Sequence, residues 1–102
     1  MSSTHYMRLL PWPGPEGKPC FVSTDGSGYV SRLADQVEAI QLGMGADLLD
    51  HAESLLGDSS ASKEQLRFLG DRLSEALRDG LRIAHSRGAR LQSPRQTAFD
   101  QY

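Results

Sequence analysis

Two long runs of apolar residues, each advancing by steps of three and four positions, constrain this chain most strongly. The first run extends from Val30 to Leu55 and the second from Leu66 to Ala84. Such steps place the apolar side chains on one face of an α-helix. They predict a mainly α fold, an antiparallel two-helix hairpin whose helices are each on the order of 40 Å long.

The first predicted helix spans residues 31–56. Ser31 is a candidate N-cap, because a serine hydroxyl accepts a hydrogen bond from an otherwise unpaired amide of the first turn. The apolar run ends at Gly57. Gly43 and Gly45 lie inside the run, and each costs about 1 kcal/mol relative to alanine. They predict either a kink or a close approach of another backbone.

The second predicted helix spans residues 63–87. Ser62 and Gln65 have the spacing of a capping box, in which the two residues satisfy each other's backbone amides. Arg87 lies in the last turn, where positive charge interacts favourably with the helix dipole. Gly88 is typical of a C-terminal cap. This segment carries the most complete set of helix signals in the chain.

The N-terminal region is rich in proline and glycine and predicts extended or turn-like structure. Residues 19–23 have the composition of a short strand, and the turn residues 25–28 predict a β-hairpin that returns at Tyr29-Val30. The predicted organisation is a Pro/Gly-rich arm at 1–18, a domain of β-hairpin and helical hairpin at 19–88, and a flexible tail at 89–102.

Two helices and a small hairpin cannot enclose a hydrophobic core, so the pattern predicts a second copy and a dimeric four-helix bundle. The alternative is that the arm folds back and closes a monomeric core. The predicted interface comprises Val37, Ile40, Met44, Leu48, Leu66, Leu69, Leu73, Leu77 and Leu81. Further apolar residues widen these faces: Leu42, Leu49, Leu56, Phe68 and Ile83.

The two helices carry opposite charge. From Asp25 to Asp58 there are seven acidic residues and one basic residue, whereas Arg67 to Arg95 holds seven arginines and three acidic residues. Opposite charges favour pairing of the helices, although each exposed pair contributes only about 0–1 kcal/mol. We expect the leucines to determine the fold and the charges to determine which helices pair.

The basic stretch suggests a second function, a nucleic-acid-binding regulator. The arginines that could follow a phosphate backbone are Arg78, Arg82, Arg87, Arg90 and Arg95. Acidic residues alternate with the first two, and the whole chain has a net charge of −2. A solvated helix face with internal salt bridges accounts for this pattern better, so nucleic-acid binding remains the alternative.

The aromatic residues of the N-terminal region are candidates for binding a protein partner: Trp12, Phe21 and Tyr29. Tryptophan is common at the centre of protein interfaces, and proline lowers the entropy lost on docking. The other interpretation is that Trp12 covers the helices as a lid, because a thin core needs aromatic cover.

No catalytic or cofactor motif stands out, so we expect a protein that is not an enzyme. Asp47 and His51 share a helix face, but two ligands are too few for a tight metal site. Cys20 is the one cysteine, and nothing in the spacing brings His5 or His85 to it. A single cysteine, no secretory signal and no long apolar segment predict a cytoplasmic protein without membrane association.

Two segments carry a resemblance to a known group. They are Leu10-Pro-Trp-Pro-Gly-Pro-Glu-Gly-Lys-Pro-Cys20 and Asp25-Gly-Ser-Gly-Tyr-Val-Ser-Arg-Leu-Ala-Asp35. Over residues 7–90 the chain is similar to small uncharacterised proteins of actinobacteria associated with regulatory genes. The resemblance implies a cytoplasmic, regulatory accessory role and supplies no catalytic residues.

Overall fold

A computed structural model of the chain describes residues 4–91 and confirms the mainly helical class. Two strands precede two long helices, which pack against each other as the predicted hairpin. The elements are β1 (Tyr6–Leu9), β2 (Phe21–Thr24), α1 (Tyr29–Leu56) and α2 (Lys63–Leu91). Strand β1 also contacts α2, so the small sheet sits against the helical hairpin.

Helix α2 begins at the predicted capping box and ends later than expected. The Ser62 amide donates to Oε1 of Gln65 at 2.8 Å, and the Gln65 amide donates to Oγ of Ser62 at 3.0 Å. Gly88 lies inside the helix instead of capping it. The first residues of the predicted tail, 89–91, are therefore helical, and the remainder of that tail lies outside the described residues.

Helix α1 begins two residues earlier than predicted. Gly28 is its N-cap with φ of 99°, and no side chain caps the first turn. The prediction that Ser31 is the cap is wrong, because Ser31 is buried and its hydroxyl lies 2.7 Å from that of Thr24. The helix runs unbroken through Gly43 and Gly45. A Cβ at either position would meet no heavy atom within 4 Å, so no described backbone approaches them closely.

The small sheet forms with a different partner from the one predicted. Strand β2 pairs antiparallel with β1, in a register that places Tyr6 opposite Thr24. The predicted return strand at 29–30 is instead the first turn of α1. Gly26 and Gly28 both have positive φ, which turns the chain directly from β2 into the helix.

The predicted arm is part of the folded unit. Strand β1 lies within residues 1–18, and the arm residues Arg8, Leu10 and Pro11 are buried. The carbonyl of Pro11 accepts a hydrogen bond from Nε2 of Gln41 at 2.9 Å. The arm and the sheet thus cover one end of the helical hairpin and leave its middle and its turn end uncovered.

The apolar core of the described residues is correspondingly small. Its buried apolar members are Leu10, Ala34, Ala52, Leu69 and Ile83, together with Pro11. Most of the large apolar side chains on both helices remain exposed. The hairpin therefore exposes more large apolar side chains than it buries.

Candidate interaction surface

A buried ion pair joins the arm to the helices. Arg8 in β1 is 2% exposed and Glu38 in α1 is 1% exposed, and Nη2 of Arg8 lies 3.2 Å from Oε2 of Glu38. The same nitrogen donates to Oδ1 of Asp35 at 2.8 Å, and Nη1 donates to the Ser31 carbonyl at 3.0 Å. Because an isolated buried charge is costly, these contacts compensate Arg8 for its lost hydration.

Glu38 also forms ion pairs with two arginines from the last turns of α2. Nη2 of Arg87 lies 3.3 Å from its Oε1, and Nη2 of Arg90 lies 3.7 Å from the same atom. Burial lowers the pKa of the Arg8 guanidinium, but its hydrogen bonds and charge interactions with Asp35 and Glu38 outweigh this and raise the pKa overall. The cluster ties β1, α1 and α2 together and holds α2 helical past Gly88.

Sequence reasoning missed this cluster. Its only signal is that Glu38 lies four residues after Ala34 and seven after Ser31, which places an acidic residue on the buried face of α1. Ser86 in α2 is similar, because its hydroxyl donates to the Leu9 carbonyl at 2.8 Å while the residue is buried. A single sequence does not reveal which basic residue meets such a carboxylate.

An uncovered apolar surface lies on one side of the helical hairpin, and we call it the leucine face. It surrounds a groove of about 500 Å³ whose floor is made of small residues. Leu42, Leu49 and Leu77 are 44%, 65% and 63% exposed at its borders. The residues that line the groove include Leu42, Gly45, Leu49, Leu73, Leu77 and Gly80.

Helical spacing extends the leucine face towards the turn and along α2. Leu56 follows Leu49 by seven residues, and Leu66 precedes Leu73 by seven, so both continue the same rows. Leu81 follows Leu77 by one turn of the helix. These three leucines are 67%, 41% and 52% exposed. The face therefore runs along the length of the hairpin beyond the arm.

The opposite side of the hairpin is more polar. A smaller groove of about 140 Å³ is lined there by Met44 and Leu48 together with charged side chains of α2. Arg72 forms an ion pair with Glu75 and lies 5.6 Å above the ring of Phe68. Charged groups of the chain itself thus accompany the apolar residues on this side.

The nine predicted interface residues do not form a single face. Four belong to the leucine face: Leu66, Leu73, Leu77 and Leu81. Four others lie on the opposite side of α1: Val37, Ile40, Met44 and Leu48. The ninth, Leu69, is only 3% exposed and belongs to the core of the chain itself. Leu42 and Leu49, which the sequence analysis places beside the main stripe, line the larger groove.

The predicted partner-binding aromatics differ in exposure. Trp12 is half-buried, whereas Phe21 and Tyr29 are 52% and 71% exposed. Phe21 borders a pocket of about 390 Å³ beside Arg82 and His85. The partial burial of Trp12 is compatible with its interpretation as a lid.

Three of the arginines considered for nucleic-acid binding contact internal acceptors. Arg82 pairs with Asp79 at 3.4 Å and donates to the Pro11 carbonyl at 3.3 Å, while Arg87 and Arg90 pair with Glu38 as described above. Arg78 is exposed, and Arg95 lies outside the described residues. The basic surface is therefore smaller than the composition of α2 suggests.

The described residues contain no cluster of three or more histidine, cysteine, aspartate or glutamate side chains placed to hold a metal. Asp47 and His51 are exposed, and Cys20 is half-buried. No helix in the described part of the chain is long and apolar enough to span a membrane.

No model of a known protein family, no curated protein and no solved structure matches this sequence or fold. The interaction surface defined by the leucine face therefore stands on its own geometry.

Proposed function

We propose that this chain is a non-enzymatic protein–protein interaction protein with a regulatory accessory role. Its helical hairpin self-associates through the leucine face, and two copies form a four-helix bundle. The single observation that carries the proposal is that face, in which long rows of leucine border an open groove on one side of the hairpin. Contiguous apolar surface of this kind marks an interaction site.

The gain from covering the exposed leucines is comparable with the cost of association. Covering a leucine that is about half exposed contributes on the order of 1 kcal/mol. Six of the seven leucines in each leucine face are exposed, so two copies contribute a dozen, and their sum is of the order of the 4–15 kcal/mol that association costs in lost freedom of motion. The gain is of the order that a dimer needs.

The alternative of a core closed by the arm has less support. The arm places Leu10 and Pro11 against one end of the hairpin, where it meets the polar cluster around Glu38. In the described residues, the leucine face remains open beyond that end. Nucleic-acid binding also has less support, because Arg82, Arg87 and Arg90 already contact groups of the chain.

Thermal unfolding tests the proposal through its dependence on concentration. A dimer that unfolds to separate chains becomes more stable as the chain concentration rises, by mass action. We expect the Tm, measured by circular dichroism, to increase by several degrees between low and high micromolar chain concentration. A Tm that stays constant over this range would show that no second copy covers the leucine face.

A further inference from the structure

We propose that the second copy docks with its two-fold axis parallel to the helices, so that α1 of one copy lies antiparallel on α2 of the other. The inference rests on the dimer proposed above and specifies its geometry. It follows from the charges that border the leucine face on its two long sides.

The outer border of α1 is acidic. Asp35 lies seven residues before Leu42 and Glu53 lies four residues after Leu49, so both flank the row of leucines. Asp50, three residues before Glu53, lies farther from that row around the circumference of α1. All three carboxylates are exposed residues. Asp35 also contacts Arg8, whereas Glu53 forms no ion pair with any described residue.

The outer border of α2 carries mainly basic residues. Lys63 precedes Leu77 by fourteen residues and Arg67 precedes Leu81 by fourteen, which places them beside the leucines of this helix. Arg78 and His85 continue the same border. The lysine and both arginines are exposed and form no ion pair with described residues. Asp71, four residues after Arg67, and Glu64, fourteen before Arg78, lie at the outer edge of this border, whereas Glu75 and Asp79 line the smaller groove on the opposite side of the hairpin.

These borders discriminate between the two ways in which the leucine faces can meet. A two-fold axis perpendicular to the helices stacks α1 on α1, which brings acidic border against acidic border. An axis parallel to the helices stacks α1 on α2 and joins an acidic border to a basic border along both seams. Like charges across an interface disfavour the first arrangement, and opposite charges favour the second.

The heights of the charged residues match in the favoured arrangement. Glu53 lies three residues before the end of α1, and Arg67 lies four residues after the start of α2. Both are therefore one turn of helix from the connecting turn. Rotation about an axis parallel to the helices preserves height, so Glu53 of one copy faces Arg67 of the second copy.

Helical glycines supply a separate observation. Gly80 lines the groove of the leucine face, and Gly45 lies between the two helices, where it lines both grooves; a Cβ at either would meet no heavy atom within 4 Å. Gly70 in α2, seven residues before Leu77, is equally unobstructed. Each costs about 1 kcal/mol relative to alanine in a helix, and nothing within the single chain requires it. Small residues at these positions permit the close docking of a second helix pair.

Charge reversal at the facing pair tests the arrangement. We expect Glu53→Lys and Arg67→Glu each to raise the dimer Kd about tenfold, since each reverses two symmetric contacts, and the double variant to restore it to within about threefold. Asp47→Lys is the matched control, because it makes the same change of charge at an exposed site of α1 that points away from the row of leucines, and it leaves the Kd unchanged. Single variants without effect would overturn the inference.

A distance measurement tests the axis independently of energetics. Spin labels on Ser59→Cys, in a Cys20→Ser background, report where the two turns lie. A parallel axis places both turns at one end and predicts labels within about 25 Å, whereas a perpendicular axis separates them by about 40 Å or more. A dimer with distant labels would overturn this geometry and leave the proposed function standing. A monomeric protein would overturn both.

Discussion

Replacement of Glu38 by alanine lowers the free energy of unfolding by about 3–5 kcal/mol, according to this structure. Glu38 is 1% exposed and receives Arg8, Arg87 and Arg90. Its removal leaves the guanidinium of Arg8, itself 2% exposed, with Asp35 as its remaining ionic partner. The cost arises because the buried Arg8 cation loses one of its two carboxylate partners.

Chemical denaturation at one fixed chain concentration measures this effect. The matched control is Glu64→Ala, which removes an exposed glutamate from the first turn of α2 and costs less than about 1 kcal/mol. A loss below about 1 kcal/mol for Glu38→Ala would contradict the role given to the cluster. The double variant Arg8→Met with Glu38→Leu separates the two effects, because removing both charges recovers much of the loss.

Replacement of Leu77 by glutamate abolishes self-association at micromolar concentration. Leu77 is 63% exposed and lines the groove of the leucine face, so a single chain tolerates the carboxylate there. In the dimer the same carboxylate is covered by apolar surface and loses its hydration. We expect the Kd to rise by at least about a hundredfold, while the helical content of the chain is unchanged.

Met44→Glu is the matched control for this prediction. Met44 is 65% exposed, but it lies on the opposite side of the hairpin, beside Arg72 and Glu75. The Kd of this variant stays within about threefold of the original, because that side remains in solvent. Light scattering of both variants across a dilution series provides the comparison. Equal weakening by the two substitutions would show that the leucine face has no special role.

The helices are the part of the fold that local pattern predicts. Both apolar runs form helices, and the capping box at Ser62 and Gln65 has the predicted hydrogen bonds. These features depend on residues within one or two turns of each other, so spacing alone is informative. The end of α2 is less predictable, because contacts with the distant Glu38 carry the helix past Gly88.

The sheet shows where local reasoning stops. The turn at 25–28 is real, but Gly26 and Gly28 lead the chain into α1 instead of a return strand. The true partner of β2 is β1, which precedes the run of prolines and pairs with β2 across the loop at 10–20. Nothing in the composition of Tyr6–Leu9 marks it as a strand, and its burial depends on Arg8 reaching Glu38.

The candidate site is predicted only in part. Helical periodicity finds the exposed leucines, but it assigns Met44 and Leu77 to the same interface, whereas they lie on opposite sides of the hairpin. The angle at which the two helices pack decides which side of each apolar stripe is covered. That angle depends on which residues pack between the helices, such as the buried Ala52 and Leu69. A helical-wheel projection of one helix does not distinguish these two residues from their apolar neighbours.

Sedimentation equilibrium of the unmodified full chain tests the central claim most directly. The chain has a mass of 11.2 kDa. We expect a dimer of about 22 kDa at high micromolar concentration, which dissociates on dilution. A single species of 11.2 kDa throughout that range would contradict self-association through the leucine face.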